Sequence, residues 1–244
     1  MKGRILFSIV IPAYNEEKNI GKLLKNIIKI SKKEKWKNFE IIVVNDNSKD
    51  ATKKVIQSLK KKNKQIFRID RVKGNNGMGY SLIEGTKAAR GELILWTMAD
   101  LSDDVNAYGR MIEGIKSNRY DMIFGSRFVK GGSSGDITPY KAFLSRIFSL
   151  CSRLLHGVKV NDLTNAFRAF RKEIFLNAHL ESGDYAISPE FAIKASKMGY
   201  RLGEIPITYV DRRAGKSKFN MVKMGAKYGL MLLKLFFFKP KRRI

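Results

Sequence analysis

The chain has 244 residues, 44% of them hydrophobic, one cysteine, and a formal charge of +26 from 48 Lys+Arg against 22 Asp+Glu. That length suffices for one large core, and the single Cys151 excludes an intrachain disulfide. A charge this size excludes an ordinary near-neutral surface and points to a polyanionic partner: nucleic acid, an anionic membrane surface or a phosphorylated substrate.

Near the N-terminus, Lys2 to Val10 imitates a secretory leader. The charged Asn15-Glu16-Glu17 stands where a small-residue cleavage site would be, so a first strand over 6–11 is predicted instead. With one cysteine, read as a buried structural thiol, a reduced, cytosol-facing compartment is expected. The run Ser8-Ile-Val-Ile-Pro-Ala-Tyr-Asn-Glu-Glu17 is the most informative in the chain. The strand is expected to break at Pro12. Tyr14, Asn15 and two carboxylates then open a helix over 15–30, with Ile20, Leu23, Leu24 and Ile27 at helical spacing.

A second strand, 39–44, ends in Asn45-Asp46-Asn47-Ser48-Lys49-Asp50 before a helix over 50–60. Asp46 is suited to accept hydrogen bonds from a base or ribose, and Ser48 or Asp50 to cap the helix; turn and cap roles would serve for all of them equally well. Strand 66–69 leads to Lys73-Gly-Asn-Asn-Gly-Met-Gly79 and a helix over 80–90. At Asn76, Gly77 and Gly79 the backbone can approach a phosphate or sugar at a helix N-terminus, although neither a full dinucleotide fingerprint nor a phosphate loop is present. Strand 92–96 runs into Thr97-Met-Ala-Asp-Leu-Ser-Asp-Asp104. Asp100, Ser102 and Asp103 offer hard oxygen ligands for Mg²⁺ or Mn²⁺, with helix capping as the other role for Ser102 or Asp103. A helix over 105–117, with Tyr108, Met111, Ile112 and Ile115 as its apolar face, and a strand over 121–125 follow. The alternation predicts an α/β fold with a mostly parallel sheet, chemically loaded at one end of its strands, where open sheets bind ligands.

Towards the C-terminus, a helix over 140–156 puts Lys141, Ser145, Ser149, Ser152 and His156 on one face. Segment 221–238 is apolar but carries Lys223, Lys227 and Lys234 on one stripe. A central Lys costs roughly 2.5–3.5 kcal/mol in a bilayer, so an interfacial helix with its lysines at the head groups is expected. Basic residues 239–243 add about 1 kcal/mol each near an anionic leaflet. The expected division is a catalytic domain over 1–218 and an interface helix with basic tail over 219–244.

Taken together, Ser8–Glu17, Asp46-x-Ser-x-Asp50, Asn76-Gly-Met-Gly79 and the Asp100 segment resemble a family-2 glycosyltransferase of the GT-A fold. Four further stretches resemble the dolichyl- or polyprenyl-phosphate sugar synthases of the mannosyl type: Gly125-Ser-Arg-Phe-Val-Lys-Gly-Gly132, Asp162-Leu-Thr-Asn-Ala-Phe-Arg168, Glu204 to Arg212, and Arg213-Ala-Gly-Lys-Ser-Lys218. The resemblance implies inverting transfer of a hexose, mannose or another, from a nucleotide sugar to a polyprenyl or dolichyl phosphate, at the cytoplasmic face of a membrane. It implies that Pro12, Tyr14, Asn15, Glu16, Asp46, Ser48, Asn76, Gly77, Gly79 and Ala99 hold the donor. Asp100 would hold a diphosphate-bound divalent metal, with Ser102 and Asp103 beside it, and Arg127, Arg146, Arg213 and Lys218 would surround the phosphates.

Two departures stand out. Met98 replaces the first carboxylate of the family's Asp-Ala-Asp, and a thioether is no Mg²⁺ ligand. Ala166 replaces the glycine before Phe-Arg. A glycan acceptor, with Asp184 or Glu190 as base, is the rival expectation, and a catalytically silent relative another. Nucleic acid is not expected as partner, because the aromatics do not interleave with Lys and Arg as stacking platforms.

Overall fold

The computed structural model describes residues 6–71, 74, 76–212 and 221–240, the side chains of 221–223 aside. Seven strands form one sheet: β1 (Phe7–Ala13), β2 (Phe39–Asn45), β3 (Ile66–Asp70), β4 (Leu93–Trp96), β5 (Met122–Ser126), β6 (Arg168–Arg171) and β7 (Leu202–Pro206). Their order is β3-β2-β1-β4-β6-β5-β7, all parallel to their neighbours except β6, which runs antiparallel to both β4 and β5. The helices are α1 (Ile20–Lys33), α2 (Thr52–Lys62), α3 (Met78–Ala88), α4 (Ala107–Lys116), α5 (Pro139–His156), α6 (Lys172–Ala178), α7 (Ile187–Lys197) and α8 (Met221–Phe236).

Side chains alternate across each strand, so a central strand covered on both faces reads as an unbroken apolar run. Ile9, Ile11, Ile41 and Val43 point to one face and pack with Leu23 and Leu24 of α1, Ile56 of α2 and Met111 of α4. Val10, Ile42, Val44, Ile94 and Trp96 point to the other and pack with Leu82 of α3, Ile174 of α6, Phe191 of α7 and Tyr228 of α8. The last helix therefore shares a core with the sheet.

Pro12 does not end the first strand. It pairs in register with Val44 and the strand continues through Ala13. In a parallel ladder alternate residues bond to alternate neighbours. Thr97 N–H donates to Val10 on the β4 side and Asp46 N–H to Ala13 on the β2 side. Pro12 thus falls with Val10 on the β4 side, beyond the last β1–β4 pair at Val10 and Trp96, so its missing N–H breaks no pair of that ladder.

Strand β6 reads Arg-Ala-Phe-Arg and β7 Leu-Gly-Glu-Ile-Pro. Neither carries the branched apolar run that marks β1 and β2, and sequence reasoning passed over both, along with α6 and α7. They widen the sheet beside β4 and β5 and bring residues 161–166 and 204–212 to the same edge as the β1, β2 and β4 ends.

Candidate active site

At the C-terminal edge of β1, β2, β4 and β5 lies a cleft of about 950 Å³. Pro12, Tyr14, Asn15 and Glu16 line it from β1, Asp46 from β2, Asn76 and Gly77 from the start of α3, Ala99, Asp100, Ser102 and Asp103 from β4, and Arg127 from β5. These are most of the expected positions. Ser48, Gly79 and Arg146 are not among the lining residues. Arg213 and Lys218 lie outside the described residues.

The first two loops are stapled to each other. Asn15 N–H donates to Ser48 Oγ at 3.0 Å, and Lys49 N–H returns to Asn15 Oδ1 at 2.8 Å. Glu16 N–H donates to Thr52 Oγ1 at 2.8 Å and Glu17 N–H to Asp50 Oδ2 at 3.1 Å. Asn15 sits at φ 56°, a left-handed conformation that Asn tolerates better than most side chains. Ser48 thus shapes the site from outside the cleft, while Asp50 Oδ1 takes the N–H of Thr52 at the start of α2.

Asp46 bridges three segments: it pairs with the Arg71 guanidinium after β3 and accepts Gly77 N–H at 2.7 Å. Each carboxylate oxygen has two lone pairs, so acceptor capacity remains towards a ribose or base. The glycine loop also meets a close approach within the protein. A Cβ on Gly77 would lie 2.2 Å from Gly183 O, and one on Gly79 2.2 Å from Ser182 O. These glycines let residues 182–184 pack onto the start of α3; Tyr80 N–H donates to Gly183 O there.

Glu16 accepts hydrogen bonds from Asn19 Nδ2 at 2.7 Å and Arg212 Nη2 at 2.6 Å. Its burial, with some help from the Asp100 charge, still pushes the carboxyl above its ordinary value against those two partners. Beyond β4, Asp103 Oδ2 accepts from Thr97 Oγ1 at 2.9 Å and Met98 N–H at 2.8 Å, and Tyr108 OH donates to Thr97 Oγ1 at 2.7 Å. Burial pushes the Asp103 carboxyl up to about 7, opposed by those donors. Asp103 braces the loop that carries Asp100. Asp100 itself accepts one backbone hydrogen bond, from Ser102 N–H at 3.1 Å, and faces the cleft.

Arg127 grips Asp162 through two hydrogen bonds of 2.6 Å, and burial, which disfavours its charge, is outweighed by that carboxylate. Glu204 of β7 in turn accepts from Asn161 N–H and Nδ2 and from Asp162 N–H, fixing the loop that supplies the counter-charge. Arg146 is exposed on α5 with its guanidinium 4.8 Å from the Phe128 ring centroid. Glu190, a candidate base, is buried away from the cleft: it accepts from Glu181 and Ser182 N–H and pairs with Lys194 at 2.7 Å. Asp184 lines the cleft but pairs with Lys227.

Sequence reasoning missed several lining residues. Arg212, Tyr185, Tyr209 and Tyr228 arrive from segments distant in the chain. Burial, then the Asp100 charge, pushes the Tyr209 phenol up to about 12. Buried Arg168 donates to the carbonyls of Asn165 at 2.6 Å and Ser188 at 2.7 Å, and so holds the 165–166 segment of the cleft wall. Burial brings its guanidinium down to about 9. The Asp162–Arg168 motif was the available signal, but it carries no indication of depth.

The remaining wall is mostly apolar, with Lys141 and Ser145 of α5 as its polar members. Leu144, Ile147, Phe148 and Cys151 come from α5, and Gly225, Tyr228, Gly229 and Leu232 from α8. The two helices meet through the Phe148 and Tyr228 rings, 4.7 Å apart, and a His156 Nε2 to Leu232 O contact of 3.1 Å. In the stripe of lysines expected at lipid head groups, Lys227 pairs with Asp184 and Lys234 with Glu181, while Lys223 lies outside the described side chains. Leu230, Leu233 and Phe237 of the α8 segment and Phe143, Leu150 and Leu154 of α5 are exposed.

The profile of glycosyl transferase family 2 matches residues 8–177, most of the chain. The chain belongs to that family. Family-2 membership accounts for the shared logic of the strand ends, and the enzyme is a glycosyltransferase. Among curated proteins it is 32% identical over 235 residues to the dolichyl-phosphate beta-glucosyltransferase ALG5A of Trichomonas vaginalis, covering 90% of this chain and 71% of that one. To ALG5D of the same organism, also a dolichyl-phosphate beta-glucosyltransferase, it is 28% identical, covering 91% and 72%. Among solved structures, glucosyl-3-phosphoglycerate synthase from Mycobacterium tuberculosis, in complex with Mn²⁺, uridine diphosphate and phosphoglyceric acid, superposes with a TM-score of 0.73 at 14% identity, covering 97% of this chain and 80% of that one. S. aureus TarS 1–349 with UDP-GlcNAc gives 0.68 at 20% identity, covering 98% and 68%. At that identity the two structures establish the GT-A fold and nothing finer.

Proposed function

We propose that this glycosyltransferase moves a hexose from a nucleoside diphosphate sugar to a polyprenyl or dolichyl phosphate, with inversion, at the cytoplasmic face of a membrane to which it binds peripherally. The observation that carries the reading is the apolar wall. Beside the polar strand ends, α5 and α8 present Leu144, Ile147, Phe148, Cys151 and Leu232, with Lys141, Ser145 and Tyr228 among them, a mostly apolar surface suited to a hydrocarbon chain with a charged head. Gly225 and Gly229, one helical turn apart on α8, also line this wall, and a Cβ on either would meet nothing within 4 Å. They leave a slot where a hydrocarbon chain can lie. Its neighbours Leu230 and Leu233 are 69% and 61% exposed, an apolar rim suited to a bilayer surface. Among the described residues no helix is long and apolar enough to cross a membrane.

An acceptor phosphate is an anion at neutral pH and needs no general base. One of its oxygens attacks the anomeric carbon as the bond to the diphosphate breaks, and the leaving nucleoside diphosphate takes the electron pair. The protein's share is positioning and charge. Asp46, Asn15 and Glu16 bound the nucleoside end. Arg127 and Arg212, paired with Asp162 and Glu16 respectively, would meet the phosphates. A divalent ion at Asp100, when bound, would offset the charge of the diphosphate.

The names of the curated relatives favour glucose over mannose as the sugar. The glycan reading loses support from Glu190, which is tied to Lys194 outside the cleft, and rests on Asp184 alone. The test is a transfer assay with a panel of UDP- and GDP-sugars and polyprenyl phosphate in detergent, with the organic phase read by mass spectrometry. A glycosyl phosphoryl lipid is the expected product, and its formation by Asp184→Asn would exclude a general base there. Absence of any lipid product from a protein that binds the nucleotide would overturn the lipid acceptor.

A further inference from the structure

We infer that Tyr228 of α8 holds the acceptor's phosphate, its phenolic hydroxyl donating a hydrogen bond to a head-group oxygen, a role that rests on the lipid-phosphate reading above.

Tyr228 is 8% exposed and lines the cleft with Gly225, Gly229 and Leu232. Spacings of three and four residues put these side by side on the helix, so a chain lying against the two glycines runs past the ring. Phe148 of α5 fixes that ring, with 4.7 Å between centroids. At the hydroxyl the surroundings turn from apolar to charged. Asp184 and Tyr185 act on it from the loop between α6 and α7, and Arg127 and Arg168 from the ends of β5 and β6. A buried phenol ordinarily finds a hydrogen-bond partner. Among the described residues the Tyr228 hydroxyl meets none, and it opens to the cleft where other orphaned hydroxyls, such as that of Ser188, are sealed in the core. The carboxylate on this side is engaged elsewhere: Lys227 pairs with Asp184 Oδ2, and Ala186 N–H donates to Oδ1 at 3.0 Å. Burial, then the Asp184 charge, pushes the phenol above its ordinary value, so at neutral pH it keeps its proton and serves an anion as a donor. A phosphate at the head of a chain seated along α8 therefore meets a neutral donor from the apolar wall and a cation, Arg127, from the polar edge.

Calorimetry on the full chain tests this with farnesyl phosphate, a short polyprenyl phosphate, and with farnesol, the same chain lacking the phosphate, both in dilute detergent with saturating UDP. Tyr228→Phe keeps the ring against Phe148 and deletes only the hydroxyl. It is expected to weaken farnesyl phosphate about tenfold while farnesol binds as before, and to leave UDP-glucose affinity, titrated separately, unchanged. In the transfer assay the same variant is expected to raise KM for the lipid phosphate and not KM for the donor. Equal weakening of farnesyl phosphate and farnesol would make Tyr228 a packing residue and overturn the inference. Unchanged affinity for farnesyl phosphate would overturn it too, and if UDP-glucose alone bound more weakly, the hydroxyl would belong to the sugar. Failure of the underlying reading gives a different result: a wild-type chain that binds UDP but neither prenyl ligand, which would remove the lipid acceptor and the Tyr228 contact together.

Discussion

Along the ends of β1 and β2, the lining side chains of Asn15, Glu16 and Asp46 are held by hydrogen bonds to neighbouring segments, whereas the α5–α8 wall is held mainly by packing, with ion pairs at its rim. Asn15, Glu16 and Asp46 are cross-tied at 2.6–3.0 Å to Ser48, Thr52, Arg212 and Gly77. On the other side, Leu144 and Leu232 line the cleft with Gly225 and Gly229, and a Cβ on either glycine would meet nothing within 4 Å. The difference teaches what each wall is built to receive. Hydrogen bonds are directional and weaken steeply when misaligned, so the polar wall suits one rigid ligand in one pose. Apolar burial is non-directional, so the helical wall suits a flexible chain of variable length.

The comparison can be broken most severely at the buried pair behind the polar wall. Asp162→Asn leaves Arg127 without its counter-charge where the carboxylate is 0% and the guanidinium 10% exposed. A loss of about 3–5 kcal/mol is expected in urea unfolding, whatever the ligand. Next is Asp100→Asn, which is expected to lower kcat by about 10²-fold, roughly 2.7 kcal/mol, with unfolding unchanged because Asp100 faces the cleft.

The apolar wall responds differently. Leu230→Ser with Leu233→Ser is expected to weaken partition onto anionic vesicles by roughly 2 kcal/mol, read by co-sedimentation, while nucleotide affinity by calorimetry stays constant. Gly229→Leu fills the slot. We expect about tenfold higher KM for a long polyprenyl phosphate, roughly 1.4 kcal/mol, with UDP affinity unchanged. The smallest effect belongs to a single staple: Ser48→Ala removes the acceptor for Asn15 N–H and is expected to cost about 1 kcal/mol, seen as a modest rise in donor KM.

Much of the polar wall was legible because it is local. A buried parallel strand is a continuous apolar run, and the residues just past it must lie at the sheet edge, so Tyr14, Asp46 and Asp100 followed from position alone. Roles were harder to read than places. The glycines at 77 and 79 signalled close approach, and the backbone of 182–184 is one group that approaches them. Ser48 acts by holding Asn15, and Lys227 and Lys234 of α8 find partners in Asp184 and Glu181. Each of these partners lies outside the local window in which periodicity is informative.

By itself the sequence determined the alternating strands and helices over the first half, the edge at which chemistry collects, and the departure at Met98, because strand burial, helical spacing and ligand chemistry are properties of short stretches. Only the tertiary structure decided that β6 reverses direction, that Arg212 reaches Glu16 across 196 residues, and that α5 and α8 close an apolar wall. Those outcomes depend on which segments pack together, and packing is a property of the whole core.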